Sequence, residues 1–545
     1  MAKYIIVCGG VISGTGKGVA SASIALLLKL RGYKVNYIKF EPYLSSDAGV
    51  LSPIEHGECF LCDDGKETDL DLGTVERIAG INMSSQNICT SGTLYKELIV
   101  GQEKGENLGR TLQIMPHVTD KIQERLLSIG ENSEVVICEI GGTVGDMESA
   151  VFYEAVRQFK QKNQNEVMVA MVAPILWVPT IREFKTKPLQ NAVKQLYQYG
   201  INPELLLCRV DREIPVKLLD KVSNMTGVDR GAIFEARDVD SVYQVPVEFY
   251  NRHIDDYCVD MLRLKRSSCR IHKYKELIEK PMNEEIRIGV CGKYSNHDEA
   301  YLSLKEALTH TSMFYGVKIN IKWIRAQDVD GKNVEEALGD IDGLIVPGGF
   351  DKNGVEGKIQ CIKYVRENKI PFLGICLGLQ CAVIEFARNV CGIKEANSQE
   401  FEKDTEDPVV HYLLGQKDIT VKSASMRLGS YNCELIKGTI AHNIYSGSPI
   451  RWDNKNVVSE RHRHRLEVNP KYLEDFAKKG LNLCGFNPET KLVEIMELDQ
   501  LKHPFFIGTQ AHPEFKSRLA DAAPLFKGFV SAALENKKKS MKKSK

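Results

Sequence analysis

The sequence predicts an α/β protein with two Rossmann-like domains, each a mainly parallel sheet flanked by helices. At 545 residues the chain is too long for one ordinary domain. Residues 4–8 form an apolar, strand-like run that a glycine-rich turn and a helical apolar repeat follow. Residues 285–290 begin the same alternation in the second half of the chain. These observations together predict the fold class.

Composition and charge exclude several classes of partner. Lys plus Arg and Asp plus Glu each total 72, so net charge does not indicate nucleic acid or an anionic membrane. No apolar run approaches the roughly 20 residues of a membrane span, and the early strand leaves no room for a signal peptide. Cys8, Cys138, Cys208 and Cys291 lie in apolar runs, which is typical of reduced core residues. We therefore expect a cytoplasmic protein without a membrane or nucleic acid partner.

The alternation of strand-like and helical segments, together with the composition of the chain, also predicts the domain boundaries. We place the first domain at residues 1–267 and the second at residues 284–535. Residues 268–283 are polar and basic, with Pro281 near the end, and indicate an interdomain linker. Residues 536–545 are rich in Lys and predict a basic, disordered tail.

The first glycine-rich turn has the features of a phosphate-binding loop. Residues 9–18 join the strand to a helix, and Lys17 lies where the helix begins. Such a turn directs backbone N–H groups and the positive helix end at an anion, while the lysine adds a cation. The match to a Walker A motif is imperfect, because Gly18 replaces the Ser or Thr that holds Mg²⁺. A glycine turn without a ligand is the alternative.

Two acidic segments could replace the missing hydroxyl as magnesium ligands. Asp69 and Asp71 would share a face if their segment were extended. Glu139 ends an apolar run, which would place it at the ligand edge of a parallel sheet. Either segment alone is more simply a surface charge or a turn cap. Together, behind a phosphate loop, they predict a magnesium site.

The second half contains the pattern of a thiol nucleophile. Cys376 lies between an apolar strand-like run and a helical repeat, where the helix N-terminus favours a thiolate. His512 and Glu514 project the same way if extended, so Glu514 can orient the imidazole that activates the thiol. Backbone at Gly349 and the N–H of Leu377 can supply oxyanion donors. A core cysteine is the simpler interpretation of a lone Cys, but these partners indicate a Cys hydrolase.

Two further patterns resemble metal sites without meeting the requirements. Residues 461–465 alternate Arg and His, so a strand would carry arginines on one face and histidines on the other. A third ligand with zinc spacing is not evident, and a polar network is the simpler interpretation. Cys59 and Cys62 have no second cysteine pair nearby, which also argues against zinc.

The chain resembles the CTP synthase family along nearly its whole length. The matching segments are residues 9–18, Lys39 with Pro42 and Tyr43, and residues 52–58, 67–73, 139–148, 185–188 and 238–241. The Gly-Gly, Gly-x-Cys-x-Gly and His-Pro-Glu segments of the second half resemble a class I glutamine amidotransferase. The resemblance implies ATP-dependent amination of UTP to CTP, with ammonia released from L-glutamine by a Cys376, His512 and Glu514 triad.

The resemblance also implies binding residues for each ligand. For ATP they are Gly14, Thr15, Gly16, Lys17, Gly18, Asp71, Arg237, Asp238 and Val239. For UTP or the feedback inhibitor CTP they are Ser13, Asp146, Met147, Glu148, Lys185, Thr186, Lys187, Pro188, Leu189, Gln190 and Lys221. For L-glutamine they are Gly349, Leu377, Gly378, Leu379, Gln380, Glu400 and Arg465. Asp71 and Glu139 match the Mg²⁺ ligands, and Lys39 looks like a phosphate-facing lysine.

One segment departs from the family pattern. Residues 180–184 lack the Gly-Glu pair that usually precedes the Lys-Thr-Lys-Pro motif, and Leu189 stands where Thr is common. The departure bears on pyrimidine selectivity and CTP feedback rather than on phosphate binding. The resemblance further implies GTP as an allosteric activator and a homo-oligomer, from dimer to tetramer, with possible filaments.

Two other functions compete with this interpretation. A P-loop amidoligase fused to a glutaminase, such as one that amidates a corrin, would not be expected to carry Asp-Val-Asp-Ser at 238–241 or the Lys-Thr-Lys-Pro motif. A nucleotide switch or scaffold would not need an intact nucleophile, base and orienting carboxylate. Ammonia-driven CTP formation would distinguish the enzyme from a switch.

Overall fold

The computed structural model describes residues 2–45, 57–106, 108–293, 298–350, 352–412, 426–448 and 456–543. It divides into one unit of Met1–Ala48 with Asp71–Ile278 and a second unit of Gly49–Leu70 with Glu279–Lys545. Part of the predicted linker, the helix His272–Ile278, therefore belongs to the first unit. The segment at residues 49–70 groups with the second unit instead of the predicted first domain.

The first unit is built around a seven-stranded parallel sheet. Its strands are β1 Lys3–Gly9, β2 Val35–Glu41, β3 Ile88–Thr90, β4 Val135–Ile140, β5 Val167–Pro174, β6 Leu205–Val210 and β7 Ile233–Arg237. Their order is β7-β6-β5-β1-β4-β2-β3. Strands β4 and β5 are buried at every position, as expected for parallel strands covered on both faces.

Helices connect the strands of the first sheet. They are α1 Lys17–Leu30, α2 Leu70–Ala79, α3 Ser91–Glu103, α4 Thr119–Gly130, α5 Ala150–Lys162, α6 Lys187–Gln198, α7 Val216–Thr226, α8 Val245–Asn251, α9 Ile254–Met261 and α10 His272–Ile278. A short hairpin pairs Leu176–Val178 with Glu183–Lys185. Helices between successive parallel strands are the crossover connections that an α/β sheet requires.

The second unit contains a nine-stranded mixed sheet. Its strands are β8 Glu284–Gly292, β9 Val317–Arg325, β10 Gly343–Val346, β11 Phe372–Ile375, β12 Arg427–Leu435, β13 Val457–His464, β14 Leu481–Phe486, β15 Val493–Leu498 and β16 Phe506–Thr509. Their order is β9-β8-β10-β11-β16-β15-β14-β12-β13. In this order, neighbouring strands from β9 through β8, β10 and β11 to β16 pair in parallel. The neighbouring strands from β16 to β13 pair antiparallel. Both sheets thus confirm the predicted fold class.

The remaining elements of the second unit surround this sheet. The helices are α11 Leu302–Tyr315, α12 Val334–Leu338, α13 Val355–Asn368, α14 Leu377–Phe386, α15 Ile440–Ser446, α16 Leu473–Lys479 and α17 Pro524–Lys543. A small sheet joins Ala396–Ser398, Asp407–Tyr412 and Leu466–Val468. Phe60–Leu61 and Glu67–Thr68 form a two-stranded hairpin. No helix in the described ranges has the length and apolarity to cross a membrane.

Long-range polar contacts hold the hairpin segment in the second unit. Asp63 Oδ1 accepts a hydrogen bond from Arg461 Nε at 2.7 Å, and Asp63 O accepts one from Ser430 N at 2.8 Å. The ring of Phe60 meets Phe515 edge to face, with centroids 5.6 Å apart. Such contacts join positions hundreds of residues apart, so local sequence patterns could not predict them.

Helix α17 includes most of the predicted disordered tail. Apolar residues of its first half, such as Phe526 and Phe529, are buried in the core. The helix then continues through Lys543, and Lys538 forms an ion pair with Glu284 at 3.0 Å. Residues 536–543 are therefore helical rather than disordered, because the buried first half provides a nucleus that the lysines extend.

The cysteines match the expectation of reduced core residues. Cys8, Cys138, Cys208 and Cys291 are each fully buried. All 15 cysteines are free thiols. Residues 52–56, which contributed to the family resemblance, lie outside the described residues.

Candidate active sites

The turn after β1 forms a strained, glycine-dependent loop at the carboxyl edge of the first sheet. Gly14 and Gly16 adopt φ values of 73° and 84°, which favour glycine. A Cβ on Gly9 would lie 2.7 Å from Lys17 Cδ, so glycine lets the lysine side chain lie back along the loop. Helix α1 begins at Lys17, which directs its N-terminal N–H groups into the same space.

Glu139 lies beside Gly18, the position at which this loop lacks a hydroxyl. A Cβ on Gly18 would lie 3.6 Å from Glu139 Oε2, at the position where Ser or Thr stands in a Walker A motif. Ser21 Oγ and Tyr37 OH donate to the same carboxylate oxygen at 3.1 and 2.5 Å. The carboxylate is thereby fixed beside the first turn of α1.

Lys39 forms a buried ion-pair cluster at the end of β2. Its Nζ lies 2.5 Å from Glu41 Oε1 and 2.6 Å from Asp71 Oδ2. Lys39, and more weakly Lys17, lowers the pKa of Asp71 against the effect of burial. Asp69 and Asp71 do not lie on an extended segment as predicted, because α2 begins at Leu70 and places Asp71 in its first turn.

Carboxylates near the loop fit a hard divalent cation. Oxygen atoms of Glu41 and Asp71 lie within 4.8 Å of one another. Carboxylate oxygens are the ligands that Mg²⁺ prefers. Glu41 was not identified from the sequence. Its position at the carboxyl end of a parallel strand is the feature that could have indicated a ligand-binding residue.

A small cavity beside the loop brings together several predicted ATP-binding residues. Its lining includes Thr15, Gly16, Asp238 and Val239. Arg209 spans the cavity, because Nε donates to Asp238 Oδ1 at 2.6 Å and Nη1 donates to Thr15 O at 3.2 Å. Thr15 Oγ1 is buried and finds no hydrogen-bond partner among the described residues, which leaves a polar atom for a ligand.

The hairpin before α6 ends at Lys185, one of the predicted pyrimidine-binding residues. Lys185 Nζ forms an ion pair with Glu183 Oε2 at 2.7 Å. The hydrogen bond from Lys185 and its positive charge lower the pKa of Glu183, and the charge of Lys221 adds a smaller effect of the same sign. Gln190 Nε2 donates to Thr186 Oγ1 at 2.9 Å, which orders the first turn of α6. Helix α6 also packs on the phosphate loop, where a Cβ on Gly10 would lie 2.4 Å from Ala192 Cβ.

Cys376 stands at a sharp elbow between β11 and α14. Its backbone adopts φ 52° and ψ −102°, a strained conformation that a nucleophile elbow imposes. Its N–H donates to Thr509 O at 2.7 Å, which fixes the elbow to β16. A Cβ on Gly378 would lie 2.0 Å from Val346 O, so the turn requires glycine there.

His512 is held against the thiol by a carboxylate. Its Nδ1 lies 2.7 Å from Glu514 Oε1. Burial lowers the pKa of His512, but the negative charges of Glu514 and Cys376 outweigh burial and raise the pKa to about 10. Glu514 lies in the 3-10 turn Pro513–Lys516, so this turn and not an extended segment brings the two side chains together. A Cβ on Gly348 would lie 2.6 Å from the imidazole Cε1.

Side-chain amides surround the thiol. Gln510 Nε2 lies 3.6 Å from Cys376 Sγ, and Gln510 Oε1 lies 3.3 Å from Gln380 Nε2. The predicted glutamine-binding residues Glu400 and Arg465 face one another at 3.6 Å. This geometry supplies a nucleophile, a base with its orienting acid, and polar groups for an α-amino acid.

The Arg and His residues of 461–465 divide between two faces, as predicted. His462 Nδ1 and His464 Nε2 share a hydrogen bond of 2.9 Å in the interior. Arg461 and Arg463 instead donate to Asp63 and Glu67, each at 2.7 Å. Within the part of the chain that the structure describes, neither histidine belongs to a group of three metal ligands.

A buried ion cluster supports the histidine face. Arg427 donates to Glu467 Oε1 at 2.7 Å and to Glu494 Oε1 at 2.8 Å. Burial raises the pKa of Glu467 to about 8 despite the arginine. Burial likewise lowers the pKa values of His462 and His464 well below their ordinary range, so these rings are neutral near pH 7.

Comparisons with known proteins agree with both halves of this geometry. The family model for the CTP synthase N-terminus matches residues 3–264, and the class I glutamine amidotransferase model matches residues 297–532. A CTP synthase of Caldanaerobacter subterraneus is 45% identical over 98% of this chain and 99% of its own length. A CTP synthase of Methanocaldococcus jannaschii is 44% identical over 98% and 99%.

The chain belongs to the CTP synthase family. It is accordingly a glutamine-hydrolysing ligase that aminates UTP to CTP and takes ATP, UTP and L-glutamine as substrates. Among solved structures, the glutaminase domain of Trypanosoma brucei CTPS with bound acivicin is 36% identical and covers 46% of this chain and 94% of its own, with a TM-score of 0.42.

The CTP synthase sites predicted from sequence are only partly brought together. Leu189 is fully buried in the hydrophobic core, so its side chain cannot face a nucleotide. Met147 lies at the other extreme, with 85% of its surface exposed. Asp146 is ordered by its own turn, where Oδ2 accepts the N–H of Thr143 at 2.7 Å.

Three polar residues of this CTP synthase family member were missed by the sequence analysis. Glu41 is the last residue of one parallel strand and Arg209 the next to last of another, a position that could have indicated both. Gln510 lies two residues before His512, but nothing in its local pattern indicates that it points at the thiol.

Proposed function

We propose that this chain makes CTP with two separate centres, one in each unit. In the second unit Cys376, His512 and Glu514 release ammonia from L-glutamine. In the first unit the loop at residues 9–18 binds ATP and activates the uracil ring of UTP. The observation that carries the proposal is the Cys376 elbow with His512 and Glu514 behind it, in a chain that also carries a glycine-rich loop ending at Lys17.

The glutaminase chemistry follows from the geometry at Cys376. The thiolate attacks the side-chain amide of glutamine, and the resulting oxyanion is stabilised by backbone N–H groups at Gly349 and Leu377. His512 gives its proton to the leaving nitrogen, so that ammonia departs and a thioester remains. Water then hydrolyses the thioester and restores the thiolate. Glu400 and Arg465 offer the opposite charges that bind the α-amino and α-carboxylate groups of glutamine.

The synthase chemistry follows from the charges around the loop. ATP phosphorylates the 4-oxygen of UTP, which turns a poor leaving group into a good one. Lys17 and Lys39 lie where they can stabilise the transferring phosphoryl group. Ammonia then displaces phosphate to give CTP. Because water protonates ammonia near pH 7 and removes its lone pair, the ammonia must reach UTP without passing through bulk solvent.

Mg²⁺ fits the carboxylates beside the loop. Asp71 and Glu139, with Glu41 as a further candidate, would hold it, and the ion would neutralise charge on the triphosphate. The family resemblance additionally supports GTP as an activator and CTP as a feedback inhibitor. We assign Lys185, which forms an ion pair with Glu183, and Lys221 to the pyrimidine nucleotide.

We further assign the chain to a cytoplasmic homo-oligomer. The free cysteines fit a reducing compartment. Exposed apolar side chains on and between α3 and α4 are candidates for burial between subunits: Ile99, Leu108, Ile114, Met115 and Leu127. Sedimentation with and without ATP and UTP tests the assembly, and a monomer under both conditions would contradict it.

The decisive experiment compares two nitrogen sources in Cys376→Ala. CTP formation from glutamine should disappear, whereas formation from free ammonia should stay at the wild-type rate, because only glutamine hydrolysis needs the thiol. Cys381→Ala is the matched control, since Cys381 is a buried thiol on the same helix without a base beside it. Equal loss of both activities in Cys376→Ala would contradict the two-centre scheme.

A matching experiment addresses the other centre. Lys17→Ala should remove CTP formation from both nitrogen sources while glutamine hydrolysis continues, because the lysine serves the phosphoryl transfer only. Retention of ammonia-supported CTP formation would contradict the role of the loop.

A further inference from the structure

Gln510 is a fully buried polar residue directly behind the proposed nucleophile. It follows β16, and its backbone N–H donates to Glu494 O at 2.8 Å. This bond fixes the backbone two residues before His512. The side chain is therefore presented to Cys376 from a rigid strand end rather than from a mobile loop.

A chain of hydrogen bonds determines which end of the Gln510 amide faces the sulfur. Leu466 O can only accept, so the atom of Gln380 that lies 3.3 Å from it must be Nε2. The same Nε2 lies 3.3 Å from Gln510, so the Gln510 atom there must be the acceptor Oε1. The remaining Gln510 atom, Nε2, then lies 3.6 Å from Cys376 Sγ with an N–H available.

We propose that Gln510 is a further catalytic residue of glutamine hydrolysis, whose Nε2–H donates to the Cys376 sulfur. The donor stabilises negative charge on sulfur in the attacking thiolate and again when water expels the thiolate from the thioester. No proton leaves Gln510, so the atoms of the reaction balance as before. The role rests on the triad assigned above.

The other polar groups at the sulfur do not replace this donor. His512 is the proton donor to the leaving nitrogen, and Glu514 is occupied in orienting it. Arg463 offers its backbone carbonyl, 3.8 Å from Sγ, which can accept from a thiol but cannot stabilise a thiolate. The guanidinium of Arg463 is engaged by Glu67 at 2.7 Å.

A purely structural role makes a different prediction. If Gln510 only holds Gln380 in place, any side chain that accepts the Gln380 N–H would suffice. Gln510→Glu keeps the size and the acceptor but loses the donor and adds a negative charge beside the sulfur. Gln510→Leu loses both groups without adding charge. The two substitutions therefore separate donation to sulfur from support of Gln380.

The test measures glutamine hydrolysis and the pH dependence of Cys376 alkylation by iodoacetamide, followed on the Cys376 peptide by mass spectrometry. For Gln510→Leu we expect hydrolysis to fall roughly tenfold to hundredfold, the range for a lost hydrogen bond to a charged group. The alkylation midpoint should move to higher pH. Gln510→Glu should show larger effects of the same sign, because its carboxylate opposes the thiolate.

Several outcomes would overturn the role of Gln510. One is a Gln510→Glu enzyme with wild-type hydrolysis and alkylation while Gln510→Leu is impaired, which indicates support of Gln380. Another is wild-type behaviour of both variants. Ammonia-supported CTP formation, expected at the wild-type rate, reports folding; if Gln510→Leu fails this check, Gln510→Met provides the donor-free variant with the same expectation.

A different result would show that the triad assignment itself is wrong. Cys376→Ala would then hydrolyse glutamine, and the proposed function would fail together with the role of Gln510. If Cys376→Ala is inactive and both Gln510 variants hydrolyse glutamine normally, only the role of Gln510 is lost.

Discussion

Glu514 keeps His512 protonated at a depth where an imidazolium would otherwise lose its proton. Burial favours the neutral ring, yet the adjacent carboxylate and thiol raise the pKa of His512 to about 10. Because this pKa is raised in the folded protein, folding favours the charged ring at every pH below about 10. The imidazolium of His512, which can donate a proton, therefore persists through the physiological range.

Glu514→Gln should remove this effect while preserving the shape of the site. A neutral amide no longer favours the imidazolium, so the pKa of His512 should fall. We expect kcat for glutamine hydrolysis to drop roughly 100-fold or more, with little change in KM, since general acid–base catalysis contributes about 10²- to 10⁴-fold. Steady-state kinetics between pH 6 and 9 test this, with ammonia-supported CTP formation as the control. An unchanged kcat would argue against the assigned role of Glu514.

Asp63 shows how one residue ties a distant segment to the glutaminase site. Burial alone would raise its pKa, but Arg461 and Lys516 lower it to about 2. Arg461 in turn accepts the backbone N–H of His512 at its carbonyl, at 2.7 Å. The ion pair at Asp63 therefore supports the strand that holds the catalytic base.

Asp63→Asn should lower thermal stability in a pH-dependent manner. A depressed carboxylate pKa gives stability that is present above the ordinary value of 3.8 and is lost as pH falls through about 2. The difference in Tm between variant and wild type should thus be full at pH 7 and shrink below pH 4. Asp64→Asn is the control, because Asp64 Oδ1 bonds the N–H of Lys66 in its own turn. A difference that does not change with pH would exclude the charge as the cause.

At the scale of elements, the β11–α14 elbow depends on close backbone approach. Gly374 and Gly378 face one another across the turn, where a Cβ on Gly374 would lie 2.8 Å from the Gly378 carbonyl carbon. Strand β11 and helix α14 are both buried, so the backbone cannot move aside. The strained Cys376 is the consequence of this packing.

Gly378→Ala should therefore damage both stability and glutaminase activity. The added methyl would meet Val346 O at 2.0 Å, a backbone atom without freedom to rotate away. Overpacking of this kind typically costs about 1–3 kcal/mol. Denaturant unfolding and glutamine hydrolysis measure the effects. Gly331→Ala, where the nearest atom is Gln360 Oε1 at 3.7 Å, should be neutral, and equal effects of both substitutions would contradict the explanation.

At the scale of the whole molecule, the two units should respond to different ligands. A ligand that binds the folded state stabilises it by roughly 2.7 kcal/mol at 100 times its Kd, about 5–10 °C for a unit of this size. ATP with magnesium should therefore raise Tm in wild type and in Cys376→Ala. It should fail to do so in Lys17→Ala, because the phosphate loop has lost its cation. Thermal unfolding followed by fluorescence tests this, and an equal rise in Lys17→Ala would place ATP elsewhere.

The sequence by itself determined the two α/β units, the glycine-rich loop before Lys17 and the residues that we propose as the triad. Each is encoded locally: apolar runs alternate with glycine turns, and Lys17 and Cys376 each lie where a strand gives way to a helix. Local patterns suffice because backbone sterics and the burial of apolar residues act over a few neighbours.

Only the tertiary structure decided which distant residues meet at the sites. It placed Gln510 beside the Cys376 thiol, Arg209 across the cavity next to the glycine-rich loop, and Asp63 on Arg461. It also buried Leu189 in the hydrophobic core and brought Glu514 to His512 through a 3-10 turn. These contacts join chain positions up to 398 residues apart. Their geometry follows from sheet order and side-chain packing, which local patterns do not specify.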